Sequence, residues 1–223
     1  LPLFKTSSEY EETLIPRISL RSNPGDMKDY SLAERKIDIN NIFNINRIAI
    51  DDSFEAGNSI TFGGTYKREN TKFDEKFLEL KLASVFRDKL ENNIPSQTTL
   101  NNKNSNIFGS IDYVHSKELN LEYNFAIDEK IENFNYNSIG IGISLNNFVT
   151  KFNFIEENSY LGSANVYENE SKYNFNEFNS ISFKTRRNRE IDLTEYYDLV
   201  YEYNNDCLRA GIKFNKTYYE DRD

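Results

Sequence analysis

The chain has one cysteine and one histidine among its 223 residues, no tryptophan, and no long apolar run. A single cysteine, Cys207, excludes an internal disulfide framework, and an unpaired cysteine in an exported protein points to a bridge with something outside the segment. The lone histidine, His115 in DYVHSKEL, has no HxxxH or CxxC spacing near it, so the sequence offers no metal-ligand pattern and no assembled nucleophile and base. It reads as a residue at a strand turn. No stretch of about 18 apolar residues occurs, which excludes a membrane-spanning helix. Basic residues are outnumbered, 27 against 36 acidic, for a net charge of -9 and a pI near 4.9. That balance argues against a nucleic-acid binder, which needs a basic face to displace phosphate counterions. Gly63 and Gly64 in FGGTY are not followed by Gly-Lys-Ser/Thr, so they form no phosphate loop and read as strand bends. The first residues, LPLFKTSSEYEET, carry no basic n-region and no apolar h-region, as expected of a secreted protein that has lost its signal and also of a segment cut from within a barrel.

What is present points one way. Only 38% of residues are hydrophobic and mean hydropathy is -0.72, a thin core for an ordinary soluble domain. The aromatic content of 14%, from 15 Tyr and 17 Phe, contradicts disorder. Polar on average yet rich in Tyr and Phe is the composition of a transmembrane barrel, where only the lipid face must be apolar and aromatic girdles mark the interfaces. Period-two alternation dominates. In LNLEYNFAID, Leu119, Leu121, Tyr123, Phe125 and Ile127 share one face, and Asn120, Glu122, Asn124, Ala126 and Asp128 the other. YNSIGIGISL repeats the pattern, with Ile139, Ile141, Ile143 and Leu145 opposite Ser138, Gly140, Gly142 and Ser144. Alternation also predicts strands in NSITFGGTYKR, FLELKLASVFRD, FNSISFKTRRN, DLTEYYDLVYEYN and CLRAGIKFNKTY. Long polar links such as ENNIPSQTTLNNKNSN and EENSYLGSANVYENESKYNFNE alternate with short ones, of which Asn146-Asn147 is a hairpin signal.

Glu79, Lys81, Asn120, Glu122 and Asn124 are the candidate lumen-facing residues. The solvated face of a soluble sheet predicts the same residues, and composition does not separate the two. The cluster Lys184, Arg186, Arg187 and Arg189 in KTRRNRE suits lipid phosphates, which arginine binds bidentately, but a solvated loop is the favoured reading.

Two blocks carry a family pattern. In IPRISLRSNPGDMKDYSLAERKIDINNIFNINRIAIDDSFEAGNSITFGGTYK, the residues Pro24, Asn41, Phe43, Asn46, Arg47, Asp52, Glu55, Gly57, Gly63 and Tyr66 stand in the places of a Pro-containing loop, Asn-Leu-Phe, Asn-Arg-Phe, Gly-x-Asp, Glu-Gly and Tyr-Gly-x-x-Tyr. That order resembles the barrel of the LptD family, the lipopolysaccharide-assembly or organic-solvent-tolerance proteins. The end, TRRNREIDLTEYYDLVYEYNNDCLRAGIKFNKTYYEDRD, is similar to that family's penultimate strands, with Cys207 beginning a strand. Ile42, Ile48 and the glycine-less stretch 49–52 depart from the pattern, and Cys207 stands alone where some members have two adjacent cysteines.

The resemblance implies an all-β fold, an antiparallel transmembrane β-barrel of which residues 1–223 form a single partial domain lacking its first strands and last strand. It implies residence in the outer membrane of a Gram-negative bacterium and a non-catalytic conduit, without cofactor, metal or nucleic acid, that inserts lipopolysaccharide into the outer leaflet. The implied partners are an LptE-type lipoprotein plug, an LptA-type periplasmic bridge protein, lipopolysaccharide and outer-membrane lipids. Cys207 would pair with a cysteine of a preceding periplasmic domain. Another outer-membrane barrel, a porin or a receptor, and a soluble β-sheet binding module are the alternatives.

Overall fold

The alternating stretches fold as strands because one side of each is apolar and the other polar, the arrangement a pleated backbone presents at no conformational cost. A computed structural model describes residues 1–71, 76–157 and 164–218, the side chains of 76 and 77 excepted. Twelve strands follow in chain order: β1 (Leu3–Thr6), β2 (Tyr10–Asn23), β3 (Gly57–Asn70), β4 (Lys76–Arg87), β5 (Ile107–Ser116), β6 (Leu119–Ile127), β7 (Phe134–Leu145), β8 (Phe148–Glu157), β9 (Asn165–Asn174), β10 (Asn179–Asn188), β11 (Leu193–Asn204) and β12 (Arg209–Thr217). They form one sheet whose order is the chain order, with antiparallel neighbours. The fold class is therefore all-β and antiparallel. Among the described residues the helical content is one 3-10 turn, Ser96–Thr98.

The seven strand stretches named from alternation coincide with β3, β4, β6, β7, β10, β11 and β12 to within a few residues. The Asn146-Asn147 link joins β7 to β8 with Asn146 at φ 45°, the left-handed conformation that asparagine tolerates. Several readings need correction. VYENESKYN, read as part of a polar loop, is β9, and its pairing with both β8 and β10 supplies the backbone bonds its polar side chains obscure. Lys184, Arg186 and Arg187 lie in β10, as the alternation of FNSISFKTRRN predicts, and not in a solvated loop. Cys207 precedes β12 in the connection 205–208, where its backbone N–H donates to Asn205 Oδ1 at 3.0 Å. At Gly63 and Gly64, read as strand bends, the register of β3 with β2 and β4 runs through without a break.

By contact density the chain comprises two compact units. One is Leu1–Tyr113 with Asn124–Asn137 and Glu157–Gly162; the other is Val114–Tyr123 with Ser138–Glu156 and Ser163–Asp223. In the first unit Leu14, Ile18 and Leu20 of β2, Phe62 of β3 and Leu82 and Phe86 of β4 crowd one face and stay exposed. The core lies on the opposite, polar face. There the β2–β3 connection, 24–56, lays Met27, Ile37, Ile39, Ile42, Ile48 and Ile50 against Ala83, Val85, Phe108 and Ala126, joined by Ile94 and Leu100 from 88–106. β1 pairs only with Glu11–Leu14 of β2, which leaves Pro16 on an unaccompanied stretch of edge strand in the strand order, where a sheet tolerates proline.

In the second unit the strand register gives two unlike faces. Phe148, Phe152, Phe154, Tyr167, Tyr173, Phe183, Leu199, Ile212 and Phe214 share one face, and Ile212 is 75% exposed. The other face is a ladder of ion pairs: Lys184–Glu170 at 2.9 Å, Arg186–Glu168 at 2.9 Å, Arg186–Glu195 at 2.7 Å, Lys213–Asp198 at 3.2 Å and Arg209–Glu202 at 2.8 Å.

The two adjacent glycines of β3 make opposite predictions. A Cβ on Gly63 would lie 2.5 Å from Leu82 O, 2.7 Å from Ala83 Cβ and 2.9 Å from Phe43 Cζ, whereas one on Gly64 meets nothing nearer than Ile15 O at 3.4 Å. Gly63→Ala is expected to cost about 1–3 kcal/mol by overpacking. Gly64→Ala is expected to be neutral, or stabilising by about 0.4–1 kcal/mol through the unfolded chain. Urea unfolding of both variants beside the wild type checks the contrast; equal midpoints for the two would refute it.

Candidate functional site

The densest chemistry among the described residues lies where the 24–56 connection meets the polar face of β2–β4. Glu55, at the end of that connection, is buried, and three guanidinium groups converge on its carboxylate. Arg47 grips it with its fork, Nε to Oε2 at 2.8 Å and Nη2 to Oε1 at 2.5 Å. Arg21 of β2 donates from Nη1 to Oε2 at 2.8 Å, and Arg87 of β4 donates to Oε1. Most of the remaining donors are used, Arg87 Nε being buried without a partner. Arg47 reaches Thr61 Oγ1 at 3.0 Å and Ser59 Oγ at 3.2 Å on β3, Arg21 reaches Asn44 O at 2.7 Å, and Arg87 reaches Ala56 O. One carboxylate thus ties the connection to three consecutive strands. Burial pushes the Glu55 carboxyl up, but the hydrogen bonds and charge of Arg47, with the charges of Arg21 and Arg87, outweigh it and hold the group below its ordinary range.

The family-pattern positions fall around this cluster. Asn46 closes the turn 46–50 from both ends of its amide, donating to Ile50 O at 2.7 Å and accepting from Ile50 N at 3.2 Å; within it Ala49 takes φ 54°. Asn41 accepts from Asp38 N at 3.0 Å. Phe43 packs against the core with the Arg17 guanidinium 5.7 Å above its ring. Asp52 pairs with Lys28 at 2.5 Å and accepts from the Tyr30 hydroxyl, and these two bonds, Lys28's first, hold its carboxyl below the usual range. Gly57 starts β3 at φ 83°, a conformation that favours glycine. Pro24 is exposed just after β2, and Tyr66 donates to Glu12 Oε1 at 2.9 Å. Asn41, Asn46 and Asp52, with Arg47 and Glu55, hold the connection's backbone in place, whereas Tyr66 bonds strand to strand on the other face of β3. Arg21 and Arg87, which complete the cluster, had no signal in the sequence, because they belong to strands far from Glu55 along the chain.

The candidate lumen residues lie on the polar faces. Glu79 is buried between Lys67, 3.2 Å away, and Lys81, 2.9 Å away. With Arg17, Ile15, Ile39 and Phe43 these residues line a hollow of about 320 Å³, so Glu79 and Lys81 face a partly walled space. Asn120 and Glu122 lie against Gly142 and Gly140 in the second unit. Asn124 shares its strand face with Ala126, which joins the core of the first. His115 is exposed near the end of β5, and the Cys207 thiol is free and exposed. Arg189 stacks 5.0 Å from the Tyr167 ring and 5.8 Å from that of Phe154.

Removing the Glu55 carboxylate strands three guanidiniums, two of them nearly inaccessible, so Glu55→Gln is expected to cost about 3–5 kcal/mol. Arg47→Lys keeps the charge, loses the fork and is expected to fall between the two proteins. The pH sign follows from the lowered carboxyl. Its contribution is present in full above the unfolded value, about 4.3, and is lost as pH falls through the folded value. Urea midpoints from pH 7 downward check both, and a Glu55→Gln variant as stable at pH 7 as the wild type would overturn the assignment.

No family model matches the chain, and no curated protein matches it. Among solved structures, a porin of Rhodopseudomonas blastica, crystallised as a triple mutant, aligns with 94% of this chain and 76% of its own at 8% identity and a TM-score of 0.40, a likeness on which the functional reading below does not rest.

Proposed function

We propose that the chain is a membrane-spanning portion of an outer-membrane β-barrel, with its apolar face in lipid. The observation that carries this is the apolar face of the second unit. Its aromatic residues gather toward both strand ends: Tyr173 with Phe175 at 5.2 Å and Phe178 with Tyr203 at 6.4 Å at one end, Phe154 with Tyr167 at 5.2 Å and Tyr197 with Tyr218 at 6.1 Å at the other. Four neutral polar side chains interrupt the face between its ends and each is satisfied locally, while near one end the register adds Arg187, paired with Asp192, and Lys216, 4.6 Å from the Tyr218 ring. Thr150 and Ser171 share a bond of 2.7 Å, Asn169 donates to Thr150 Oγ1 at 3.1 Å and accepts from Ser171 at 3.0 Å, and Thr185 donates to Tyr196 O at 3.1 Å. Water would make such pairing optional; hydrocarbon makes it necessary. The strands here have 9 to 12 residues, long enough to cross a bilayer with tilt.

Lipopolysaccharide as the lipid handled, a lipoprotein in the lumen, a periplasmic bridge and a disulfide from Cys207 are proposed on the sequence resemblance alone. The role is taken as that of a conduit without catalysis. A solute pore is the other reading, favoured by the facing ion pairs of β9–β12, and it differs by passing ions or small solutes in reconstituted vesicles.

Because the chain has no tryptophan, single reporters test the membrane reading cleanly. Leu199 lies on the apolar face and Val200 on the charged one. In vesicles containing lipids with brominated acyl chains, Leu199→Trp emission is expected to be quenched strongly and Val200→Trp emission weakly. Equal quenching, or a protein that stays in solution without detergent, would sink the reading. Depleting the parent protein should halt delivery of new lipopolysaccharide to the cell surface; delivery at the normal rate would remove that cargo and leave the membrane reading standing.

A further inference from the structure

The apolar face of the first unit is not evenly filled. Gly64 occupies the position between Phe62 and Tyr66 in β3, and the space above it is open to a side chain. There the face sinks into a groove of about 550 Å³, walled by Phe62, Tyr66, Leu82 and Phe86, with the rings of Phe62 and Phe86 edge to face at 6.0 Å. Its volume falls within the roughly 300–1,000 Å³ of small-molecule sites. The lining is apolar along its length and turns polar at the loop end, where Asn104, Ser105 and Glu129 stand. Among the described residues that line it, Glu129 is the one charged side chain.

We infer that this groove holds one acyl chain of a glycerophospholipid whose headgroup carries an amine. The chain lies along the aromatic and leucine walls, the ester and phosphate oxygens meet the Asn104 amide, and the ammonium meets the Glu129 carboxylate. Apolar walls select a hydrocarbon tail. A lone carboxylate at the mouth selects a headgroup that brings a cation and disfavours one that is only anionic. The inference rests on the membrane reading, since a bilayer supplies the tail.

The test uses a Leu14→Trp reporter at the groove and the Leu199→Trp reporter as reference. Vesicles of phosphatidylglycerol receive a small fraction of brominated phosphatidylethanolamine or, separately, brominated phosphatidylglycerol. At the groove the amine lipid should quench better by roughly two- to fivefold, the range an exposed ion pair supplies. At Leu199→Trp the two lipids should quench equally. Gly64→Ile directs a side chain into the groove from a Cβ that meets nothing nearer than Ile15 O at 3.4 Å, and Glu129→Gln removes the charge from an exposed loop. In the Leu14→Trp background each should abolish the preference. No preference at the groove, or one that survives both substitutions, overturns the site while quenching at Leu199→Trp keeps the membrane reading. Loss of quenching at both reporters overturns the two together.

Discussion

A pleated strand sends successive side chains to opposite faces, so each strand commits half its residues to each of two environments. In this chain the commitment is followed almost without exception from β2 onward, and the two faces make opposite demands. Along β8–β12 one face carries paired charges and the other carries Phe, Tyr, Leu and Ile, interrupted by polar groups that bond locally and, near one end, by Arg187 and Lys216. Along β2–β4 the polar face is not left to water. The 24–56 connection covers it with isoleucines, so these strands pack on one side and present an unpartnered apolar surface on the other.

Covering a polar face creates a difficulty that apolar packing does not solve. Arg21 and Arg87 project from β2 and β4 into the covered region, and a buried guanidinium without a partner is far costlier than a missing methyl group. Glu55 meets both, with Arg47 supplied by the connection itself. Such a cluster need not add net stability, because desolvating four charges offsets much of the attraction. Its effect is on arrangement. Isoleucines at 37, 39, 42, 48 and 50 could exchange places at small cost, whereas a carboxylate that must meet forks from three directions fits in one place.

Legibility in the sequence follows the same division. Alternation exposed β3, β4, β6, β7, β10, β11 and β12, because their apolar sides are continuous and period two is a local property. It failed on β9, where Asn165, Asn169 and Ser171 dilute the apolar side, and on β2, where Pro16 and an acidic start break the pattern, and it named no stretch for β1, β5 or β8. The core of the first unit was illegible because the isoleucines of 24–56 follow neither a strand nor a helix period, and their burial is decided by the sheet beneath them. Glu55, Arg47 and Asn46 were singled out by family likeness, not by physics. Their partners on β2 and β4 are brought in by strand order, which no local window contains.

The Gly63–Gly64 pair concentrates both themes in one strand. A glycine within a strand weakens it by about 0.5–1 kcal/mol, so each needs a physical reason. For Gly63 the reason is steric: on the covered face the Phe43 ring, Leu82 O and Ala83 Cβ already occupy the place of a side chain. Gly64 points to the apolar face, where a Cβ would meet only ordinary contacts. Packing thus permits a larger residue at 64 and forbids one at 63. What glycine at 64 accomplishes is to leave the groove open, while on the far side of the same backbone the hollow holding Arg17, Lys67 and Lys81 also reaches Gly64 and Leu82. A single layer of peptide groups at Gly64 therefore separates an apolar recess from one lined by Arg17, Lys67 and Lys81.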